Sequence, residues 1–319
     1  MLRAVIIVGA LGAAPGALAQ AYPAKPIHIV TQFAAGASGD ANMRAIAQPL
    51  AESLGQPVVV DNKPGGGGVV AAAFVAKSPP DGYAILGASS ATQVVHGWIT
   101  KNVPFDPIRD FTPITLLSKP TVVIIAHPSV KAANLSELLE FAKRNPRKVF
   151  YGTSGVGSEH HLSGEQIRQL TGVDIVHVPY KATAQALVDV VSGQLPVSFS
   201  IYAAAVHFIQ DGKVRALAVV REKRVAFLPD LQSVAEAVPG FEEPPMWTGL
   251  FGPAGLPDPI VRRLNAEAVK ALQSAAIQKM YAARGSEAVG SSPEAFAAQI
   301  RKEVALVGRI VKEAGIERR

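Results

Sequence analysis

Cysteine is absent from this 319-residue chain, which excludes disulfide bonds and thiolate metal sites. Charged residues make up only 18% of the sequence, and aromatic residues 6%. The basic residues are scattered and form no stripe interleaved with aromatic side chains, so we expect no nucleic-acid partner. The seven histidines lack metal-ligand spacing. We therefore expect neither a metal ion nor a cofactor.

Long apolar runs are missing beyond the N-terminus. Residues 1–21 combine the basic Arg3, the apolar stretch Ala4–Leu18 and two small-x-small cleavage patterns, Ala17–Ala19 and Ala19–Ala21. The stretch is too short for a membrane anchor and is interrupted at Pro15. We interpret it as a cleaved export signal. A disulfide-free exported protein of this size fits a bacterial periplasm.

Nucleotide-binding motifs are also missing. Gly155 and Gly157 begin like a dinucleotide fingerprint, but His160 stands where the third glycine belongs. No Gly-Lys-Ser/Thr phosphate loop occurs. These departures weigh against the two common nucleotide-binding loops.

A serine hydrolase remains an alternative. The segment Gly152–Gly155 resembles a nucleophile elbow only loosely, because Ser154 is followed directly by glycine. His160 and His161 are near in sequence, and Asp174 or Asp189 is an imaginable third member. Such serines are more often hydrogen-bonding loop residues than nucleophiles.

Strand-like runs alternate with helical patterns along the chain, which predicts an α/β fold with largely parallel sheets. The length is consistent with two domains. The first unit comprises a strand at 27–31, a loop, and a helix from Asp40, its predicted N-cap, toward Leu54. We expect the helices of the last third to pack back on the first domain.

Two small-residue loops stand between a strand and a helix, at Phe33–Asp40 and Gly152–Ser158, and Ser158 is a predicted N-cap. Bare backbone N–H groups and a helix N-terminus both favour an anion. The loops therefore predict two half-sites that close on one carboxylate. A second interpretation, in which small residues serve only tight packing, stays open.

Blocks spread over the whole mature chain resemble the Bug/TctC solute-binding proteins, which serve tripartite tricarboxylate transporters. The blocks that carry the resemblance are Tyr22–Ile27, Phe33–Asp40, Leu54–Gly65, Ala76–Tyr83, Tyr151–Leu162, His177–Lys181, Arg215–Val219 and Trp247–Gly249. The first block and the Asp-Gly-Tyr block at 81–83 are specific in combination.

The resemblance implies a two-lobed Venus flytrap of the type II periplasmic class, with residues 22–122 plus 247–319 as domain 1 and 123–246 as domain 2. It implies a monomer that takes a di-, tri- or aromatic carboxylate to membrane subunits similar to TctA and TctB, with a sensor for a membrane kinase as an alternative. The residues that it places at the ligand or beside it are Phe33, Ala35, Gly36, Ser38, Ser89, Ser90, Thr153, Ser154, Gly155, Ser158, His161 and Ser200.

The chain also departs from the family pattern. Gln32 replaces a proline, and Ala37 replaces the second glycine of the first loop. Ser200 stands where many members have an Asp or Asn that recognises an amine or water. This last departure weakens the expectation of an amino-acid ligand such as aspartate.

Overall fold

The computed structural model describes residues 22–318. The predicted export signal lies outside this range. The strands are β1 (Ile27–Thr31), β2 (Val58–Asn62), β3 (Ala84–Ser89), β4 (Phe111–Pro120), β5 (Val122–Ala126), β6 (Phe150–Thr153), β7 (Val176–Pro179), β8 (Val197–Ile201), β9 (Arg215–Val219), β10 (Thr248–Pro253) and β11 (Ser286–Ala288).

The helices flank these strands, which confirms the predicted α/β class. They are α1 (Ser38–Leu54), α2 (Val69–Ala76), α3 (His96–Ile99), α4 (Leu135–Arg144), α5 (Glu159–Thr171), α6 (Thr183–Val191), α7 (Tyr202–Gln210), α8 (Val234–Ala237), α9 (Asp258–Leu272), α10 (Ala275–Ala283) and α11 (Pro293–Glu313). A 3-10 turn (Gly66–Gly68) precedes α2, and a π-helical turn (Ala91–Val95) precedes α3.

The strands form two sheets, in the orders β11-β4-β10-β3-β1-β2 and β7-β6-β8-β5-β9. Both sheets are mixed, so the prediction of mainly parallel sheets is wrong in this respect. Pairs within the βα units, such as β1 with β2 and β6 with β7, are parallel. Strands β5 and β10, at the points where the chain changes sheets, run antiparallel to both their neighbours. Parallel pairing of successive strands requires a crossover connection, usually a helix. Neither β5 nor β10 enters its sheet through such a helix.

The chain changes sheets between Pro120 and Val122 and returns before Thr248. The domain limits, 22–122 plus 247–319 and 123–246, stay a prediction. The final helices pack back on the first sheet as expected: α9 contacts α1 and β4, and α11 contacts β4. Helix α11 also contacts α5, which follows a strand of the second sheet.

The core follows the periodicity of the sequence. Helix α1 buries Met43, Ile46, Ala47, Leu50 and Leu54 on one face, as its 3.6-residue pattern predicts. Gly55 ends the helix in the left-handed conformation. The start is different: the helix begins at Ser38, so the prediction of Asp40 as N-cap is wrong.

Candidate ligand-binding cleft

A cavity of about 190 Å³ lies between residues of the two sheets. Its walls are formed by Phe33, Ser38, Gly39, Asn42, Ser89, Ser90, Ser118, Pro120, Glu159, Ile201, Met246, Trp247, Thr248, Arg284 and Ser286. A larger cavity of about 500 Å³ borders residues 221–227, but it contains none of the predicted site residues. We therefore take the smaller cavity, called the cleft below, as the candidate site.

The first loop brings an open helix start to the cleft. The residue before α1 is Ala37, in an extended conformation at φ −68° and ψ 158°, and no side chain caps the helix. Within residues 22–318, the N–H groups of Ser38 and Gly39 have no hydrogen-bond acceptor. Both residues line the cleft. Unsatisfied N–H groups at the start of a 17-residue helix are suited to an anion.

Asp40 holds this loop together instead of capping the helix. Its carboxylate accepts hydrogen bonds from the Gly36 N–H at 2.9 Å, from Asn62 Nδ2 at 2.7 Å and from Arg44 Nε at 3.0 Å. Burial alone would raise the pKa of Asp40, but these hydrogen bonds outweigh it and lower the pKa. The Gly36 N–H, which the sequence predicts as a ligand contact, is therefore already used.

The end of β3 supplies hydroxyl groups to the cleft, from Ser89 and Ser90. Gln32 Nε2 donates to Ser89 Oγ at 2.9 Å, so the Ser89 proton is left to donate toward the cleft. The backbone N–H of Trp247 donates to Ser90 Oγ at 3.2 Å. Ser90 Oγ in turn donates to Glu159 Oε1 at 3.3 Å. Ser89 ends β3 and Ser90 directly precedes the π-helical turn, so this is a strand-to-helix junction.

The second loop is closed by its own side chains. Ser158 Oγ accepts from the His161 N–H at 3.2 Å, which confirms the predicted N-cap. The Gly155 N–H donates to Thr153 Oγ1 at 3.1 Å, and the Gly157 N–H donates to His161 Nδ1 at 3.0 Å. A Cβ at Gly157 would lie 2.7 Å from Ile99 Cδ1, so this loop packs closely against α3.

The structure thus gathers only some of the predicted site residues. Phe33, Ser38, Ser89 and Ser90 line the cleft together. The predicted residues that are not among its walls are Ala35, Gly36, Thr153, Ser154, Gly155, Ser158, His161 and Ser200. Their assignment as ligand contacts stays a prediction.

A buried polar network lies behind the second loop. His161 stacks on His177 with ring centroids 3.9 Å apart, and His177 Nε2 hydrogen-bonds Thr153 Oγ1 at 2.6 Å. Burial and the neighbouring His161 lower the pKa of His177 to about 4. Burial alone would raise the pKa of Glu165, but hydrogen bonds from His161 and Arg168 lower it to about 2. Through the hydrogen bonds of His177 to Thr153 and of the Gly157 N–H to His161, this network holds the second loop in place.

Ser154 does contact a histidine, with 3.0 Å between its Oγ and His160 Nδ1. The other ring nitrogen, Nε2, is buried and has no partner among the described residues. Neither Asp174 nor Asp189 orients it, and Tyr180 donates to Asp189 instead. Burial lowers the pKa of His160 to about 4. The pair therefore lacks the carboxylate that completes a hydrolase triad.

Two charged residues at the cleft were missed by the sequence interpretation. Glu159 is the first residue of α5, and Arg284 follows the last turn of α10. Arg284 Nη1 donates to Asn42 Oδ1 at 3.1 Å, which holds it beside α1. Glu159 was overlooked because it stands between a predicted N-cap and two histidines, and Arg284 because only tertiary packing brings it there.

Trp247 forms part of the cleft wall, with its polar atom turned away. Its Nε1 donates to Glu303 Oε2 at 2.7 Å, and Gln299 Nε2 donates to the other oxygen at 2.7 Å. Burial raises the pKa of Glu303 to about 7 in spite of these bonds. Because its indole N–H already donates to Glu303, Trp247 contributes an apolar ring to the cleft wall.

Within the described range, no helix is both long and apolar enough to cross a membrane. Among the same residues, no group of three or more His, Cys, Asp or Glu side chains is arranged to hold a metal ion.

Two α/β units joined by crossing strands, with a ligand-sized cleft between them, define the class of solute-binding proteins. Solved structures agree. BugD, described as a periplasmic binding protein, is 33% identical, with a TM-score of 0.73 over 93% of this chain and 100% of its own. Rpa4515 of Rhodopseudomonas palustris, solved with adipate, is 32% identical, with a TM-score of 0.78 over 93% and 100%. MatC of the same organism, with bound malate, is 30% identical, with a TM-score of 0.72 over 91% and 100%.

The family model for the tripartite tricarboxylate transporter family receptor, TctC, matches residues 42–316. The chain therefore belongs to the TctC family, as the sequence blocks predicted. Members of this family are substrate-binding receptors and not enzymes.

Proposed function

We propose that this protein is exported, freed of its signal peptide, and captures a small carboxylate in the periplasm for the membrane subunits of a tripartite tricarboxylate-type transporter. Family membership supports the receptor role. The adipate and malate bound to two similar structures support a carboxylate. The observation that carries the proposal is the uncapped start of α1, where Ser38 and Gly39 line the cleft and their N–H groups have no acceptor among the described residues.

The carboxylate accepts hydrogen bonds from these two N–H groups and from the Ser89 hydroxyl. Each charge-assisted bond contributes about 1.5–3 kcal/mol, less the cost of removing water from the anion. The cleft, at about 190 Å³, has room for a small organic acid.

Binding is coupled to the relative position of the two lobes. The cleft has walls from both, since Ser89 ends β3 in the first sheet and Glu159 follows β6 in the second. A ligand that contacts both walls stabilises the closed arrangement over the open one by its difference in affinity for the two. The closed form is then the one that membrane subunits recognise.

A thermal-shift screen of organic acids tests the proposal, followed by calorimetry on each hit. A ligand at a hundred times its Kd stabilises the folded protein by about 2.7 kcal/mol, so the melting temperature rises with ligand concentration. Failure of every small mono-, di- and tricarboxylate to raise it would contradict the proposal.

A further inference from the structure

Of the described residues that line the cleft, only Glu159 and Arg284 carry charged side chains. They have opposite signs and reach the cleft from different sides: Glu159 follows the second sheet's β6, and Arg284 follows α10, which packs on α1. The other walls are apolar or carry neutral polar groups.

Neither charge is paired within residues 22–318. No ion pair with an N···O distance of 4.0 Å or less includes Glu159 or Arg284. Their side-chain hydrogen bonds are to neutral groups, the Ser90 hydroxyl and the Asn42 amide oxygen. Partly buried charges without a counter-charge are costly, so the cleft is electrostatically incomplete by itself.

We propose that the cleft selects a dipolar ion, an amino acid or amino dicarboxylate, whose ammonium group binds Glu159 and whose carboxylate lies between Arg284 and the start of α1. This inference rests on the proposed function and narrows its ligand class. A ligand with both charges compensates both side chains and bridges the two lobes.

The charges that line the cleft also disfavour a plain dicarboxylate as the ligand. A plain dicarboxylate that spans the cleft would place a second carboxylate beside Glu159 and leave Glu159 without a counter-charge. Burial raises the pKa of Glu159, so its ionised form gains from a cation beside it and not from another anion. An ammonium group supplies the missing positive charge. Ser200, whose identity weakened the expectation of an amino-acid ligand, does not line the cleft, so it does not decide the ligand class.

Calorimetry with matched pairs of acids tests this proposal on the purified, ligand-stripped protein. The pairs are aspartate with succinate, glutamate with glutarate, and alanine with propionate, which differ only in the amino group. In at least one pair we expect the amino acid to bind more than about tenfold more tightly. Glu159→Gln should remove this preference without weakening the deamino partner, and Arg284→Met should weaken both members by a similar factor.

Glu140→Gln, an exposed change on α4 away from the cleft, is the control and should leave all affinities unchanged. Equal or tighter binding of the deamino acids, or an equal loss for both members in Glu159→Gln, overturns this proposal but leaves the proposed function intact. Failure of all six acids to bind overturns this proposal, whereas the proposed function is contradicted only if the wider screen of organic acids also finds no ligand. The comparison of pairs on the unmodified protein decides the question even where Glu159→Gln does not fold.

Discussion

Helices α1 and α5 both follow a strand and a loop of small residues, yet they begin in opposite ways. Helix α1 starts after Ala37, which has no capping side chain, and leaves N–H groups open at the cleft. Helix α5 starts after Ser158, which caps it, and the Gly157 N–H is taken by His161. The two starts therefore differ at the cap: in α5 the Ser158 hydroxyl satisfies the His161 N–H, whereas in α1 no side chain accepts from the first turn.

The difference shows that a Gly/Ser loop before a helix does not by itself mark a binding site. The capping residue distinguishes the two cases here. A helix without a capping side chain forgoes about 1 kcal/mol of stability. Such local departures from optimal stability are expected at functional positions. After the second loop, the first residue of α5 instead presents a side chain, that of Glu159, at the same cleft.

The largest expected effect comes from removing the charge behind the second loop. Glu165→Gln should lower the free energy of unfolding by about 3 kcal/mol at neutral pH, because the folded-state pKa of Glu165 is about 2 against an ordinary 4.5. The ionised form is favoured in the folded protein, so its contribution is present above pH 4.5 and is lost as the pH falls from 4.5 toward 2. Urea unfolding at a series of pH values measures it. An equal loss of stability between pH 4.5 and 2 in the Glu165→Gln variant and in the unmodified protein would contradict this prediction.

The next effect is on binding at the first loop. Ser38→Pro removes one N–H at the first helical position, where proline is tolerated, and the extended Ala37 suits a following proline. Affinity for the carboxylate should fall about thirtyfold, which corresponds to about 2 kcal/mol, while unliganded stability stays unchanged. Calorimetry and a thermal melt measure the two quantities. Unchanged affinity in a folded variant would remove α1 from the binding site.

Removing the cap of α5 should affect stability and not binding. Ser158→Ala leaves the His161 N–H unsatisfied and should cost about 1 kcal/mol. Affinity should change little, because Ser158 does not line the cleft. Chemical denaturation and calorimetry on the same preparation measure both. A large loss of affinity with little loss of stability would mean that the second loop binds the ligand directly.

Adding a cap to α1 is the mirror-image change and the smallest in size. Ala37→Ser places a hydroxyl where it can accept from the first N–H groups, which should raise stability by about 0.5 kcal/mol. The same hydroxyl competes with the ligand, so affinity should fall about threefold. If this variant binds more tightly, the open N–H groups are not the anion site.

Much of the fold follows from local patterns. The buried face of α1, the Ser158 cap and the glycine that ends α5 at Gly172 are all evident in the sequence. Strand β4 is not, because Pro113 interrupts its pattern, as proline normally does in strands. The antiparallel strands were missed because their direction depends on how the chain crosses between sheets.

The site was predicted less completely. Both loops were found, but which N–H groups are free depends on contacts within each loop, such as Asp40 with Gly36. Glu159 and Arg284 are far apart in sequence, and only packing brings them to one cleft. Local patterns therefore predicted the region of the candidate site, but not which charged side chains line it.

A crystal structure of the protein with an acid identified by the thermal-shift screen tests the central claim most directly. The account predicts a carboxylate oxygen of the ligand at about 2.7–3.2 Å from the backbone nitrogen of Ser38 or Gly39. A ligand held by Thr153–Ser158 alone, with its carboxylate out of reach of the start of α1, would contradict it.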